Sequence, residues 1–527
     1  MALTECLPVH NGPGDTILRR GIQRIAGILP GAVLCLALVP APALAVPARP
    51  AADLPPVAIL VLDELSSGMI MTAQGEIDGR RFPNLAGLAR TSTWYRNNTT
   101  VADSTRGAVP AILTGRRPEV GASPELEGSR SVFSMLRGRY RLRGYETVTD
   151  FCPDSWCPRP RQRRRLAGAW LDNRALKDVE LGMVAGSLDQ IRPGRRPLAW
   201  VTHVLLPHVP WRFLPGGDSY DDAGLPFPSL SVIGGGDYWT GDDYGIELSQ
   251  QRALLQVAFV DRMVGEIRRR LERAGLWDKS MFVLVADHGS TFTPGAARRR
   301  LAPETFGEMA MVPLIVKYPR QAQGQTSDRS TNSAQVLPTV ARWTASADSY
   351  QGKVLEEASW GEDVVTRAAR RDENLTMPLS AVLAQRTAAI AERDRRLPGH
   401  SFYATPGGSS LVGRRLRKAE LSSRSPGLVR LTGRSASRAP GRHRGQLDGS
   451  YVTARVSGLS PGDRVAVVLG GKVVAVSEVF NAGRWPRAGV TSIRIAAMIP
   501  PGYLGKGNPD PSFYRVEGGR LSLLRSR

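Results

Sequence analysis

Two apolar runs, far apart in the chain, end directly in chemically reactive side chains. Residues 57–62 are followed by Asp63-Glu64, and residues 281–286 are followed by Asp287-His288-Gly289. Short continuous apolar runs are typical of strands that are buried on both faces of a parallel sheet. Because the carboxyl ends of parallel strands meet at one edge of the sheet, we expect these side chains to lie together.

Between residues 55 and 345, strand-like runs alternate with helical patterns. The longest helix is predicted at 248–274, where apolar side chains recur every three or four residues. Strands are predicted at 57–62, 145–149, 198–206, 281–286 and 312–317, and helices at 82–90 and 130–137. This alternation predicts an α/β fold with a mostly parallel central sheet.

The composition changes near residue 398, where Gly, Ser and Arg become frequent. Short alternating segments follow at 451–456, 464–469, 472–479 and 492–497, and Gly470-Gly471 favours a hairpin turn between two of them. The chain is therefore expected to have three parts. They are an export segment and linker (1–54), a catalytic domain (55–397, with helical residues at 346–395) and a small β-rich accessory domain (398–527).

The N-terminal segment has the pattern of a secretory signal peptide. Arg19, Arg20 and Arg24 precede an apolar stretch at 25–39, and Ala43-Leu44-Ala45 fits a cleavage site. A retained membrane anchor is the alternative, although prolines shorten the apolar run. The protein is thus expected to be exported, and either secreted or anchored by this single segment.

The formal net charge is +22, from 70 Lys and Arg against 48 Asp and Glu. No nucleic-acid-binding motif accompanies this charge, so nucleic acid is not an expected partner. Loop clusters of arginine such as residues 298–300 are interpreted as solvated surface, or as attraction to an anionic envelope polymer or membrane face. In an exported protein, Cys152 and Cys157 are expected to form a local disulfide.

Thr105 opens the segment 105–115 and is a candidate nucleophile. A Thr hydroxyl ionises far above neutral pH, so it needs a base or a metal to become reactive. A helix N-terminus would add positive charge. Since Pro110 is best tolerated in a first turn, the helix is expected to begin after Gly107. A simple helix cap is the alternative role for Thr105.

Oxygen and nitrogen ligands from three parts of the chain suggest one divalent cation. The candidate ligands are Asp63 or Glu64, Thr105, Asp287 and His288. This mixed set favours Zn²⁺ or Mn²⁺, with Ca²⁺ or Mg²⁺ as alternatives.

Two further histidines, His203 and His208, lie within residues 202–211. His208, in a Pro-flanked loop, is the better candidate to bind a transferred oxyanion or to protonate a leaving group. A buried structural role is open for either histidine.

Taken in order, these segments resemble the alkaline phosphatase superfamily in its sulfatase-like branch. The resemblance covers residues 55–345. It rests on Asp63-Glu64, Pro83-Asn84-Leu85 with the following Leu88-Ala89, the Leu113-Thr114-Gly115 ending, Pro207-His208-Val209-Pro210, Val260-Asp261, Asp287-His288-Gly289 and residues 312–316. It implies an alkaline-phosphatase-like sandwich.

Sulfatases carry a Cys or Ser, converted to formylglycine, where this chain has Thr105. A Thr nucleophile is similar to that of phosphoethanolamine transferases and lipoteichoic acid synthases. That resemblance implies that Glu64, Thr105, Asp287 and His288 surround manganese or zinc, with His208 on the substrate side.

The expected function is an exported, metal-dependent hydrolase or transferase. It would act on phosphate or sulfate esters of envelope lipids or polymers in two displacements through Thr105, aided by His208. Arg106 and His203 are assigned to substrate binding. A sulfatase proper and a non-catalytic envelope-binding protein are the alternatives.

Overall fold

The computed structural model describes residues 53–526 with gaps. The gaps are 122–129, 147, 150, 154, 157–185, 187, 222–224, 226, 234–235, 241, 347–352, 404–409, 419–420, 423–424, 433–449, 484–491 and 505–509. The predicted export segment and Cys157 lie outside the described residues. All of the described residues belong to one compact unit, Ala48–Arg527. None of the helices in this described part combines the length and hydropathy needed to cross a membrane.

The elements are numbered here in chain order. The helices are α1 (Ser67–Ile70), α2 (Pro83–Ala89), α3 (Thr105–Thr114), α4 (Val132–Leu136), α5 (Asp243–Arg273), α6 (Phe306–Ala310), α7 (Val336–Trp343) and α8 (Leu379–Arg396). The strands are β1 (Val57–Asp63), β2 (Thr93–Tyr95), β3 (Asn98–Thr99), β4 (Arg141–Tyr145), β5 (Leu198–Pro207), β6 (Leu230–Ile233), β7 (Gly236–Trp239), β8 (Met281–Ala286), β9 (Leu314–Lys317), β10 (Gln325–Ser327), β11 (Thr331–Asn332), β12 (Val364–Ala368), β13 (Glu373–Met377), β14 (Leu428–Leu431), β15 (Tyr451–Ser457), β16 (Arg464–Leu469), β17 (Lys472–Glu478), β18 (Phe480–Asn481), β19 (Ile493–Met498), β20 (Ser512–Glu517), β21 (Arg520–Leu523) and β22 (Arg525–Ser526).

The described strands form a central sheet in the order β10-β2-β9-β8-β1-β5-β4. Strand β9 runs antiparallel to β2 and β8, and the other neighbours are parallel. The predicted mostly parallel α/β fold is therefore confirmed. The carboxyl ends of β1, β5 and β8 lie side by side at one edge of this sheet.

Strand β1 is buried along its whole length because helices cover both faces of the sheet. Its residues alternate between two cores, with Leu60 in the core that contains Leu254 and Val257 of α5, and Ile59 in the core that contains Val109 of α3. Such two-sided burial explains why the strand reads as a continuous apolar run rather than as an alternating pattern.

Three local predictions were wrong. The strand predicted at 145–149 is β4, which ends at Tyr145, since its charged residues lie at the sheet edge and hide the strand pattern. The described residues between 353 and 395 are not helical throughout, because a short 3-10 helix (Leu355–Glu357) and the hairpin of β12 and β13 precede α8. Helix α3 begins at Thr105 with Pro110 inside it. Close burial of almost the entire helix outweighs the local cost of that proline.

The C-terminal region is β-rich, as the sequence indicates. Its described strands form the sheets β18-β19-β15-β14-β22 and β17-β16-β20-β21. Both sheets contribute to one core, which includes Val452, Val465 and Phe513. The predicted turn between β16 and β17 is confirmed, and Gly470 and Gly471 have φ of 54° and 74°. A residue with a Cβ would be strained at these positions.

Helix α5 fastens the C-terminal sheets to the larger part of the molecule. The Tyr244 hydroxyl donates to Ala496 O (2.8 Å), and the Tyr451 hydroxyl donates to Leu225 O (3.2 Å). The Arg252 guanidinium is fully buried and lies 4.5 Å from the centre of the Tyr451 ring. Its nitrogens donate to Trp211 O, so the buried charge is well solvated by the protein.

Glu247 is a buried acid on the same face of α5 and is 9% exposed. Burial, followed by the nearby Glu478 and Asp243 carboxylates, raises its pKa from 4.5 to about 8. Within the described residues, Glu247 Oε1 has no hydrogen-bond donor. An ionised carboxylate at this position is therefore costly.

We predict that Glu247→Gln raises the thermal midpoint at pH 8.5 by on the order of 2–5 °C and has little effect near pH 5. Between pH 4.5 and about 8, the native state holds a proton that the unfolded chain has released. The free energy of unfolding of the wild type therefore falls as pH rises through this window. Differential scanning fluorimetry across the window checks this, with exposed Glu362→Gln as the matched control. A gain that is equal at both pH values would contradict it.

Candidate active site

The Asp287 carboxylate joins the carboxyl ends of β1 and β8. Its Oδ1 accepts hydrogen bonds from the backbone N–H groups of Glu64 (3.0 Å) and His288 (2.6 Å). Glu64 has a φ of 69°, which a residue with a side chain adopts only when its surroundings require it. This left-handed turn, held by Asp287, sends the chain away from the strand immediately after Asp63.

His288 lies at the centre of the site and is fully buried. Its Nε2 is 3.4 Å from Thr105 Oγ1, 3.7 Å from Asp287 Oδ2 and 3.9 Å from Asp63 Oδ1. Its Nδ1 lies 2.9 Å from Gly289 O, and a carbonyl can only accept, so Nδ1 carries the proton. Burial, with a contribution from nearby Arg299, lowers the pKa of His288 to about 4. The neutral ring thus presents the Nε2 lone pair to Thr105.

Gly289 completes the Asp-His-Gly motif for a steric reason. A Cβ at this position would lie 2.1 Å from Glu308 O and 2.6 Å from Ser66 Oγ. The Ser66 hydroxyl in turn accepts from Ser290 N (3.0 Å). Only glycine lets the chain after β8 pass this closely, and this packing fixes the position of the His288 ring.

Thr105 is the first residue of α3 and is 6% exposed. Ser104 occupies the N-cap position and makes no side-chain cap, while the Thr105 hydroxyl faces His288. The hydroxyl therefore stands at a helix N-terminus, where the backbone N–H groups favour negative charge.

His208 and His203 come from strand β5 and the loop after it. His208 Nδ1 lies 2.6 Å from Val209 O and so carries the proton, while Nε2 lies 2.7 Å from Arg299 Nη1 and 3.3 Å from Glu64 Oε2. Gln256 of α5 holds this loop by donating to His208 O (2.8 Å). With a lone pair on Nε2, His208 is placed to accept or to coordinate rather than to donate a proton.

His203 lies deeper and is 1% exposed, with its pKa lowered to about 4 by burial. It shares a cluster of potential ligand atoms with Asp63 and Asp287, all within 4.8 Å of one another. The position beneath the carboxylates favours a ligand or supporting role over the predicted contact with substrate.

Two arginines at the site were interpreted from the sequence as solvated surface, and for Arg298 this was wrong. Arg298 is 2% exposed; it pairs with Glu64 Oε1 and with Asp237 Oδ2 (3.3 Å). Half-buried Arg299 reaches His208. Nearby Glu64, Asp63 and Asp287 raise the pKa of Arg299 against the effect of burial, which lowers it. The position of residues 298–299 shortly after the Asp-His-Gly motif was the available signal.

A cavity of about 180 Å³ opens beside Ser104, at the N-terminus of α3. Its lining includes Arg299, Arg300 and Arg370. Arg106, which the sequence assigned to substrate binding, is exposed on α3 and does not line this cavity. The positive charge beside Thr105 therefore comes from the loop after β8 and from the β12–β13 turn.

The buried donor set fits a divalent cation. Asp63, Glu64 and His208 form one cluster with potential ligand atoms within 4.8 Å of one another, and Asp63, His203 and Asp287 form a second. Within the described residues, buried Asp287 Oδ2 has no hydrogen-bond donor, and burial raises the pKa of Asp287. Carboxylates mixed with imidazole nitrogens suit zinc or manganese.

Residues 249–346 match the family model described as Sulfatase. The matched segment contains most of α5, the Asp287-His288-Gly289 motif and both site arginines. This segment of the chain is therefore similar to the sulfatase family. The match agrees with the resemblance to the sulfatase-like branch that the sequence motifs carry.

Several solved structures resemble this protein. The phosphonate monoester hydrolase of Agrobacterium radiobacter has 17% identity and a TM-score of 0.47, over 64% of this chain and 91% of that one. A putative sulfatase from Bacteroides thetaiotaomicron has 12% identity and a TM-score of 0.44, over 63% and 87%. A 2-O GAG sulfatase has 14% identity and a TM-score of 0.43, over 63% and 87%. No curated protein sequence matches the chain significantly.

We predict that the purified protein retains a divalent metal and that Asp287→Asn reduces its occupancy by about tenfold or more. The substitution removes a buried negative charge and replaces Oδ2 with an NH2 group, which cannot coordinate a cation, while Oδ1 can still accept from Glu64 and His288. Elemental analysis after dialysis measures the bound metal, and Asp328→Asn, an acid paired with Arg96 away from the site, is the control. Equal metal content in both variants would contradict the assignment.

Proposed function

We propose that this protein is a metal-dependent hydrolase of phosphate, phosphonate or sulfate esters with Thr105 as its nucleophile. The observation that carries the proposal is the 3.4 Å approach of Thr105 Oγ1 to His288 Nε2, inside a cluster of buried carboxylates. The sulfatase-family match and the positively charged cavity beside Ser104 support an anionic ester as substrate.

The residues would hold the cation through Asp63, Asp287 and His288, with Glu64 and the other two histidines nearby. A divalent ion bound there supplies positive charge that lowers the pKa of a hydroxyl group and stabilises a developing oxyanion. The chain itself places the Thr105 hydroxyl at the N-terminus of α3, where a negative oxygen is favoured. The His288 ring, fixed by its bond to Gly289 O, keeps its lone pair directed at the same point.

The proposed reaction has two displacements. The Thr105 hydroxyl loses its proton as Oγ1 attacks phosphorus or sulfur. The bond from that centre to the substrate oxygen breaks, and the alkoxide takes up one proton and leaves as the alcohol. Water then attacks the esterified Thr105, releases phosphate or sulfate, and restores the hydroxyl. Arg299 stands beside the transferred group and offsets its charge.

An acceptor hydroxyl in place of water would make the same enzyme a transferase. The substrates we propose are esters of envelope lipids or polymers. The sulfatase match favours sulfate esters as a second substrate class. Phosphate and sulfate esters would both be attacked by Thr105, so the same Thr105 variants test both substrate classes.

We predict that Thr105→Ala lowers kcat/KM by at least about a hundredfold, since loss of a nucleophile usually costs more than that. Activity is measured on 4-nitrophenyl phosphate, bis(4-nitrophenyl) phosphate and 4-nitrophenyl sulfate. Thr105→Ser keeps the hydroxyl and serves as the matched control. Thermal midpoints of both variants confirm that they fold. Retained turnover in a folded Thr105→Ala protein would remove Thr105 from the reaction.

We also propose that the protein is exported. The support is the basic, apolar and small-residue pattern of residues 19–45, together with a disulfide at Cys152 in the described part of the chain. Disulfides persist in oxidising compartments.

Expression in a bacterial host should therefore yield an extracytoplasmic protein. N-terminal sequencing is expected to find a start near residue 46, after Ala45. A membrane-bound chain with an intact N-terminus would favour the anchor, and a cytoplasmic chain that begins at Met1 would reject export.

A further inference from the structure

Arginines beyond the catalytic cluster line the cavity beside Ser104. Arg300 and Arg370 share this lining with Arg299, Asp103 and Asp237. A neighbouring cavity of about 270 Å³ also includes Arg300 and has Tyr238 and Arg371 in its lining. The Arg300 side chain therefore stands between two spaces, and only the first of them reaches the N-terminus of α3.

The two aspartates of this cavity are engaged elsewhere. Asp103 accepts from the backbone N–H groups of Leu301 (3.1 Å) and Ala369 (2.8 Å). Asp237 pairs with Arg298 (3.3 Å), which also holds Glu64. The carboxylates thus organise the loops and pair with the inner arginine, and the lining contains three arginines (Arg299, Arg300 and Arg370) against these two aspartates.

The Arg300 and Arg370 guanidinium groups converge above Gly236. Arg300 Nη2 and Arg370 Nη1 lie 3.2 and 3.4 Å from the position that a Cβ on Gly236 would occupy. Tyr238 orients Arg300, because its hydroxyl accepts from Nη1 (2.6 Å) and its ring centre lies 5.4 Å from Cζ. Two guanidinium groups held this close repel each other. An anion bound between them attracts both, so the net electrostatic energy becomes favourable.

We propose that Arg300 and Arg370 form a second anion subsite, and that the natural substrate carries another phosphate, sulfate or carboxylate group near the ester that is cleaved. This inference rests on the proposed function, because the subsite lies in the cavity beside Ser104, the residue that precedes Thr105. Its chemistry assigns the substrate to the polyanions, such as a multiply phosphorylated or sulfated glycan, or an anionic polymer.

Binding of non-hydrolysable sulfonates tests the subsite without any turnover. Isothermal titration calorimetry compares benzenesulfonate with benzene-1,3-disulfonate, and naphthalene-2-sulfonate with naphthalene-2,6-disulfonate. At least one disulfonate should bind about tenfold more tightly than its monosulfonate partner. The ratio of the disulfonate affinity to the monosulfonate affinity should fall as the salt concentration rises, because part of the subsite is exposed to solvent. If neither disulfonate binds more tightly, the subsite is overturned.

The variant Arg300→Gln/Arg370→Gln should reduce this affinity ratio to below about threefold. Arg370 is exposed, so Arg370→Gln alone serves if the double variant fails to fold. The control is Arg195→Gln, an exposed arginine at the amino end of β5 and thus at the opposite edge of the sheet. A ratio that survives in the Arg300 and Arg370 variants, or that falls equally in the control, would reject the proposal.

The two proposals fail in different ways. Loss of the nucleophile hypothesis would appear as undiminished hydrolysis by Thr105→Ala, with the sulfonate ratio intact. Loss of the subsite would appear as equal affinities for mono- and disulfonates in an enzyme that still depends on Thr105. Each result is read from a separate measurement on the full chain.

Discussion

The site depends on one buried carboxylate oxygen that accepts two backbone hydrogen bonds. Asp287 Oδ1 accepts from the backbone N–H groups that follow β1 and β8, so the two strands end in a common joint. The left-handed turn at Glu64 and the position of the His288 backbone both depend on these two hydrogen bonds. A buried acceptor that satisfies two backbone donors is worth much more than an exposed one, because its loss leaves both donors unpaired. The geometry of the candidate active site thus depends on backbone hydrogen bonds within the protein itself.

Charge compensation is the second constraint. Asp63, Glu64 and Asp287 are buried close together, and such an assembly is unstable without nearby positive charge. Arg298 pairs with Glu64, and Arg299 lies near all three carboxylates through its contact with His208. The arginines therefore belong to the folding of the site as well as to its chemistry. Their removal would leave uncompensated acids in the interior, which is costly.

The sequence was most informative where burial on both sides produced continuous apolar runs. Strands β1 and β8 follow from such runs, and so do the acids at the strand ends, whereas helix α5 follows from apolar residues that recur every three or four positions. Strand β4 and the β12–β13 hairpin were missed because edge strands and charged turns lack that signal. Arg298 was misread for a different reason, since its burial depends on Glu64, more than two hundred residues away. Composition within a loop carries no information about such a distant partner.

Helix α5 has a structural role that reaches across the molecule. Tyr244 and Arg252 on it fasten the C-terminal sheets, and Gln256, one turn further along, supports the loop that carries His208. The C-terminal sheets and the candidate active site are therefore both held by helix α5. Removal of the C-terminal sheets would take away Ala496 O from Tyr244 and the Tyr451 ring from Arg252, on the same helix that supports the His208 loop.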